Sequence, residues 1–122
     1  MKILELNHVA IHVADVERSV EYFRRVLLLE QIERPAFDFP GAWFRLGATQ
    51  ELHLIGKSDE PFSFRDRNNH FALQVDDIAA WEEHLKKVGA DFSPNKPRPD
   101  GALQIFLRDA DGHFIELFTP PK

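Results

Sequence analysis

The stretch that decides the fold is Asn7-His8-Val9-Ala10-Ile11-His12-Val13, which recurs 62 residues later as Asn69-His70-Phe71-Ala72-Leu73-Gln74-Val75. The two copies align without a gap, and the match continues through Asp15 and Asp77 to basic pairs at 24–25 and 86–87. Two copies are too few for a solenoid, which needs at least about three repeats. Because a half-chain of about 60 residues would be marginal alone, the two halves are predicted to form one domain.

Each copy predicts a strand followed by a helix. In both stretches apolar residues alternate with histidine, alanine or glutamine, and this period of two is typical of a strand with two different faces. Asp15 and Asp77 follow as predicted N-caps of amphipathic helices. The second helix is predicted to stop at Gly89.

Three short strands are predicted after each helix. They lie at about 31–33, 42–46 and 51–55 in the first half, and at about 91–93, 102–108 and 114–119 in the second. Asp109-Ala110-Asp111-Gly112 predicts a hairpin turn, whereas the proline-rich segment 93–101 is predicted not to continue a strand. The expected fold class is therefore α+β, with βαβββ modules at about 1–56 and 69–122 joined by a polar linker at about 57–68.

The composition excludes several classes of function. The chain has 122 residues, no cysteine and a formal net charge of −5. Disulfides, thiolate metal sites and thiol catalysis are excluded, and nucleic acid is not expected as a partner. No apolar run approaches the roughly 20 residues of a bilayer span, and no signal peptide is recognisable. We therefore expect a cytoplasmic protein, not associated with membranes, whose partner is a small molecule.

One face of each predicted sheet suggests a pocket, because it mixes aromatic, basic and acidic side chains. Its members are His8, His12, Trp43, Arg45, Glu51, His53, His70, Gln74, Gln104, Phe106, Arg108, Phe114, Glu116 and Phe118. A plain core would not tolerate the histidines and glutamates, whereas a concave ligand pocket suits the mixture. We predict that Trp43, Gln74, Phe106 and Phe114 line a substrate, and that Arg45 or Arg108 holds a carboxylate or phosphate.

Four residues of this face are predicted to bind a divalent metal. His8 and His70 are equivalent in the two copies. Glu116 follows His70 by 46 residues, and His53 is the pocket-facing residue nearest to the corresponding place in the first half. Imidazole and carboxylate ligands suit Zn, Ni, Fe, Co or Mn. Glu51 shares the face with His53, and it remains the alternative fourth ligand or a nearby base.

These motifs resemble the vicinal oxygen chelate superfamily, which includes glyoxalases, bleomycin resistance proteins and dioxygenases. Residues 7–15 resemble its opening strand with the first metal ligand, 69–75 the strand with the second histidine, and 109–117 the ending with the ligand glutamate. The resemblance covers nearly the whole chain, and it implies a glyoxalase-type fold with an incurved mixed-sheet cavity, commonly in a homodimer. Because members catalyse many reactions, the fold does not fix the activity.

The expected function is metal-dependent lyase or isomerase chemistry of the glyoxalase I type on a small oxygen-chelating substrate, through a metal-stabilised enolate. The resemblance implies that Glu116 is both ligand and proton acceptor, with His12 or Glu51 as the alternative base. Glyoxalase I has an arginine that helps hold glutathione where this chain has His12, which argues against glutathione use. The alternative function is non-catalytic binding of a drug or antibiotic, as in bleomycin resistance proteins.

Overall fold

The computed structural model describes residues 1–56 and 67–122, so most of the predicted linker lies outside the described residues. The chain divides into two compact units, Met1–Pro61 and Phe62–Lys122. Unit one contains β1 (His8–His12), α1 (Val16–Arg25), β2 (Gln31–Ile32), β3 (Gly41–Leu46) and β4 (Gln50–Ile55). Unit two contains β5 (His70–Gln74), α2 (Ile78–Lys87), β6 (Lys96–Pro97), β7 (Leu103–Arg108) and β8 (Phe114–Thr119). The predicted βαβββ order is confirmed in both.

Each unit has a four-stranded mixed sheet, and the two sheets have the same connectivity. The strand orders are β1-β4-β3-β2 and β5-β8-β7-β6. The first strand of each unit runs parallel to the last, and the other pairs are antiparallel. A parallel pair needs a long crossover connection, which here includes the helix and the two intervening strands.

The helices begin at the predicted caps. The Asp15 carboxylate accepts a hydrogen bond from the backbone N–H of Arg18 at 3.2 Å, and the Asp77 carboxylate accepts one from Ala80 at 3.1 Å. After α2 the chain turns at Gly89, whose φ of 70° is favourable for glycine. After α1 the left-handed position is instead Leu28, with φ 55°. A side chain in this conformation costs about 1–2 kcal/mol.

The aliphatic face of each sheet is buried under its own helix. In unit one Phe23 of α1 packs 6.0 Å, between ring centroids, from Phe44 of β3, and both rings are fully buried. In unit two α2 contacts β7 and β8, and the buried side chains are Leu85, Ile105, Leu107, Ile115 and Leu117. The opposite face of each sheet carries the histidines, the aromatic residues and the glutamates, as the alternation predicts.

The prediction for the proline-rich segment is wrong at Lys96–Pro97. These residues form β6, with Lys96 opposite Gln104 and Pro97 opposite Leu103 of β7. Proline is tolerated because β6 is an edge strand, where its missing donor needs no partner. The backbone N–H of Arg98 continues the pairing by donating to the Ala102 carbonyl at 2.7 Å.

The strand predicted at 91–93 is reduced to an isolated bridge between Phe92 and Leu107. Ser93 is adjacent to this bridge and donates from its backbone to the Phe106 carbonyl at 2.8 Å. Within residues 1–56 and 67–122, no helix has the length and apolar character that a membrane span requires.

Candidate functional site

In unit one the register lines up the residues of the predicted pocket face. Trp43 of β3 lies opposite His53 of β4, and His53 lies opposite Ala10 of β1. The neighbouring row contains Arg45, Glu51 and His8. His12 lies at the end of β1 and is exposed.

The His53 side chain is fixed by three neighbours. Its ring stacks on Trp43 at a centroid distance of 3.9 Å and an angle of 2°, and on His8 at 4.2 Å and 19°. Its Nε2 lies 2.9 Å from Oε1 of Glu51, and the His53 side chain is only 13% exposed. The structure therefore brings His8 and His53 together, with Glu51 in direct contact with His53.

In unit two the centre of the pocket face is Glu116, a carboxylate that is 5% exposed. Its Oε1 lies 3.0 Å from Nε2 of His70, and its Oε2 accepts a hydrogen bond from Nε2 of Gln104 at 3.1 Å. Nδ1 of His70 lies 2.7 Å from the backbone carbonyl oxygen of Arg67. Because a carbonyl can only accept, the proton of His70 belongs on Nδ1.

The Nδ1 proton has a consequence for the contact between His70 and Glu116. A neutral imidazole protonated at Nδ1 presents a lone pair at Nε2, and the facing Glu116 oxygen is also an acceptor. At 3.0 Å, two acceptors repel unless a second proton or a metal cation lies between them. The contact therefore requires a positive charge between the two atoms, which either a second proton or a metal cation would supply.

The distance between the two atoms also suits a metal. With bonds of about 2.1 Å, neighbouring ligand atoms lie about 3.0 Å apart in an octahedral shell and about 3.4 Å apart in a tetrahedral one. The 3.0 Å separation of Nε2 and Oε1 agrees with this range. In unit one, His8 donates from Nδ1 to Oδ1 of Asn7 at 2.8 Å, so its Nε2 has the lone pair that a metal needs. The donor atoms within each unit therefore suit a divalent metal.

The register bears on the choice between His53 and Glu51. Glu116 lies opposite Ala72, and His53 lies opposite Ala10, which is the equivalent of Ala72 in the repeat. Phe114 lies opposite His70, just as Glu51 lies opposite His8. His53 thus occupies the position that corresponds to Glu116, which supports it as the fourth ligand.

A cavity of about 340 Å³ in unit two shares Gln104 with this site. Its lining residues are Arg67, Ser93, Pro94, Asn95, Lys96, Gln104 and Phe106. The Arg67 guanidinium lies 4.3 Å from the centroid of the Phe106 ring, and that ring meets His70 edge-on at 5.2 Å. Arg67 and Lys96 give the cavity a positive charge.

Sequence reasoning missed both of these cations. Arg67 falls within the predicted linker, and Lys96 falls in the segment predicted to be a loop. The arginines predicted to hold an anion are placed differently: Arg45 is exposed on β3, and Arg108 is exposed with its guanidinium 5.1 Å from the centroid of the Phe114 ring. Gln74, also predicted to line the pocket, is exposed at the end of β5.

A second group of possible ligands, Asp109, Asp111 and His113, lies in the β7–β8 turn. Oδ1 of Asp109 accepts from the backbone N–H groups of Asp111 and His113 at 3.0 and 2.8 Å, and its Oδ2 lies 2.9 Å from Nδ1 of His113. These contacts satisfy the buried Asp109 carboxylate within the turn itself. The hairpin therefore accounts for this group without a metal.

Comparisons with known proteins agree with the fold and with the motifs. Residues 5–117 match the model of the Glyoxalase/Bleomycin resistance protein/Dioxygenase superfamily. The chain is 30% identical over 125 residues to Metallothiol transferase FosB of Bacillus licheniformis, covering 97% of this chain and 77% of FosB. It is 27% identical over 125 residues to Glyoxylase I 4 of Arabidopsis thaliana, covering 96% and 71%. A glyoxalase family protein from Bacillus anthracis has the same fold, with a TM-score of 0.85, 22% identity and 98% coverage of each chain.

Proposed function

Because this chain belongs to the glyoxalase/bleomycin resistance protein/dioxygenase superfamily, we propose that it is a divalent-metal-dependent lyase or isomerase of the glyoxalase I type. Its substrate is a small molecule with neighbouring oxygen atoms. His8, His53, His70 and Glu116 would hold the metal, which is Zn, Ni, Fe, Co or Mn. The observation that carries the proposal is the contact of His70 Nε2 with Glu116 Oε1 at 3.0 Å, while Nδ1 of His70 is held by the Arg67 carbonyl.

The surroundings of Glu116 support this role. Burying a carboxylate is costly unless a cation or several hydrogen bonds compensate it. Glu116 has a neutral amide donor, Gln104, on one oxygen and the imidazole of His70 on the other. A metal shared by His70 and Glu116 would compensate the charge and would remove the repulsion between their lone pairs.

When bound, the metal would act as a Lewis acid that polarises a substrate oxygen. The protein's side chains would position the ligands, exclude water and attract the substrate. Gln104 holds Oε2 of Glu116, and Trp43, Phe106 and Phe114 would exclude water from the substrate. Arg67 and Lys96 would attract an anionic group into the cavity that they line.

Proton transfer is proposed for Glu116 or Glu51. Glu51 lies 2.9 Å from His53, and its side chain is 25% exposed, so it can exchange protons with solvent. His12 is further along β1, opposite Ile55 at the end of β4. This placement supports Glu51 over His12 as the second base.

We propose a homodimer because the first strand of each unit lies at the edge of its sheet and presents residues of the pocket face. β1 and β5 each pair on one side within their sheets, and His8, Ala10, His70 and Ala72 are exposed. Edge strands that present such a row are usually covered in the assembled protein. A twofold dimer would cover them.

Metal analysis of protein purified without a chelator tests the proposed function. We expect about one metal per chain, and a large loss of metal in both His8→Ala and Glu116→Ala, since losing one ligand costs several kcal/mol of binding. Full retention of metal in both variants would refute the proposed ligand set. Urea unfolding of the metal-free variants shows whether the fold itself is kept.

Glutathione is not the proposed co-substrate. The imidazole of His12 cannot make the two parallel hydrogen bonds with which a guanidinium holds a carboxylate. We therefore expect slow turnover of the glutathione–methylglyoxal hemithioacetal. A kcat/KM above about 10⁵ M⁻¹s⁻¹, which is ordinary enzyme efficiency, would contradict this.

The second candidate function is sequestration of a small apolar compound. The stacked Trp43 supports it, because a large ring on the pocket face can hold a ligand without chemistry. Removal of metal with a chelator separates the two candidates: ligand binding that persists at full strength favours sequestration, and ligand binding that is lost favours the enzyme.

A further inference from the structure

One wall of the cavity in unit two is the short segment 93–97, and most of its contacts are made with the neighbouring strand β7. Ser93 donates from its backbone N–H to the Phe106 carbonyl at 2.8 Å, and its Oγ accepts from the Phe106 backbone N–H at 3.0 Å. Lys96 and Pro97 pair with β7 as the edge strand β6. The two ends of the segment are therefore positioned by the sheet.

Asn95, in the middle of the segment, is held by a residue of the helix α2 instead. Its backbone N–H donates to Oε2 of Glu82 at 2.7 Å. Hydrogen bonds to an ionised acceptor are shorter and stronger than those between neutral groups, and this short contact agrees with that. Glu82 is half-buried, and it lies 13 residues before Asn95. The contact therefore joins the helix on the aliphatic face of the sheet to the wall of the cavity.

The same segment carries one of the two cations that line the cavity. Lys96 follows Asn95 directly, and the second cation, Arg67, packs its guanidinium 4.3 Å from the centroid of the Phe106 ring. Among the residues that the structure describes, neither cation is paired with a carboxylate. Both charges are thus available to an anion, and the backbone position of Lys96 depends on the contact one residue before it.

We propose that Glu82 is a positioning residue for this cavity. By holding the backbone N–H of Asn95, it places Lys96 so that an oxyanion entering the cavity is bound by Lys96 together with Arg67. Glu82 acts from behind the wall, since the cavity is lined by the segment and not by the helix. This inference deepens the proposed function, and it rests on that function only for the anionic group that enters the cavity.

The sign of the effect distinguishes positioning from simple electrostatics. The negative charge of Glu82, taken alone, would repel an anion in the same unit. Removing only the charge should therefore leave the affinity for an anion unchanged or raise it slightly. A loss of affinity when the whole acceptor is removed would instead report the position of the segment.

The test is a titration of the full chain with inorganic phosphate, in the presence of a chelator so that no metal contributes. In NMR spectra we expect phosphate to shift the backbone amide signals of Asn95 and Lys96 saturably. Lys96→Met should weaken phosphate binding at least about tenfold, because it removes a charged donor. Glu82→Ala should weaken it at least about fivefold, whereas Glu82→Gln keeps a carbonyl acceptor and should stay within about twofold of wild type.

Glu83→Ala is the matched control. Glu83 is the next residue of α2, its side chain is 80% exposed, and it pairs with Lys86 at 3.7 Å on the helix surface. Its replacement changes the charge of the same helix by the same amount as Glu82→Ala does. Because exposed charges of this kind interact weakly, it should leave the affinity for phosphate within about twofold of wild type.

Glu82→Asp provides a second variant if Glu82→Ala does not fold. It keeps the charge and withdraws the carboxylate by one methylene group, so weaker phosphate binding in this variant cannot be electrostatic. Urea unfolding of each variant measures stability separately. A lower stability with unchanged phosphate affinity would make the contact between Glu82 and Asn95 purely structural, and it would overturn the inference.

Three other results would also overturn the inference. They are a wild-type protein that does not bind phosphate, a Lys96→Met variant that binds it as wild type does, and a Glu82→Gln variant as weak as Glu82→Ala. The first of these would also remove the anionic group from the proposed function. The proposed metal ligands are judged separately by metal analysis, because the phosphate titration is made without metal.

Discussion

The hydrogen bond from Gln104 to Glu116 leads to a sharp prediction about metal affinity. Gln104→Leu keeps the size of the side chain and removes the donor that holds Oε2 of Glu116 at 3.1 Å. The proposed metal ligands all remain. Any loss of metal affinity in this variant therefore reports the positioning of Glu116 rather than the loss of a ligand.

The size of the effect follows from the burial of Glu116. A hydrogen bond to a charged group contributes about 1.5–3 kcal/mol, and Glu116 is only 5% exposed, so water cannot readily replace Gln104. Since about 1.4 kcal/mol corresponds to a factor of ten, zinc affinity should fall about 10- to 100-fold. Outer partners of metal ligands typically have effects of this size.

The assay is a competition titration of zinc against a chromophoric chelator. Gln74→Leu is the control, because Gln74 lies on the same sheet face but is exposed and is assigned to the substrate rather than the metal. We expect it to change zinc affinity less than twofold. If Gln104→Leu binds zinc within twofold of wild type while metal-free Gln104→Leu unfolds at the wild-type urea concentration, the reasoning about Glu116 is wrong.

Three further predictions concern stability and assembly. Hydrogen bonds from Arg98 to both carboxylate oxygens, at 2.9 and 2.6 Å, lower the pKa of Asp100 from 3.8 to about 2. The resulting stabilisation is complete above about pH 5 and is lost as the pH falls towards 2, and Arg98→Ala should move the NMR-detected pKa back towards 3.8. Leu28→Gly should raise the free energy of unfolding by about 1 kcal/mol in urea titrations by relieving the left-handed conformation at φ 55°, whereas Leu28→Val should lower it; a loss of stability in Leu28→Gly would contradict this. If each metal site combines unit one of one subunit with unit two of its partner, refolding His8→Ala together with His70→Ala should restore about a quarter of the sites, and a metal-bound monomer in light scattering would contradict it.

The repeat made most of the fold predictable from sequence. The alternation in residues 7–13 and 69–75 is a local signal, and with the caps at Asp15 and Asp77 it predicts the strands, the helices and the face of each side chain. Spacing predicts the partner of Glu116 only approximately, since the repeat offset of 62 residues points to position 54 and the alternation of faces then selects His53. The register identifies the equivalence directly, because His53 lies opposite Ala10 and Glu116 lies opposite Ala72.

The loops were less predictable, because their contacts are individual side-chain and edge-strand pairings that leave no periodic pattern in the sequence. Lys96 pairs with Gln104 across an edge strand, and no local pattern distinguishes that segment from a solvated connector. The position of the Phe37 ring depends on its contacts with Arg34 and Trp43. The sequence signal for these contacts was an arginine followed by two phenylalanines, at Arg34, Phe37 and Phe39.

The divergence of the two units would determine the charge of the proposed metal centre. At equivalent positions, unit one has the imidazole of His53, stacked on Trp43, whereas unit two has the buried carboxylate of Glu116. Three imidazoles and one carboxylate around a divalent cation leave a net charge of +1, which favours an anionic substrate oxygen. If Glu51 replaced His53 as ligand, the centre would be neutral and that preference would weaken. Glu51 and His53, the two alternatives for the fourth ligand, lie 2.9 Å apart. The amount of metal bound by Glu51→Gln distinguishes them: it should match wild type if His53 is the ligand, and it should fall if Glu51 is.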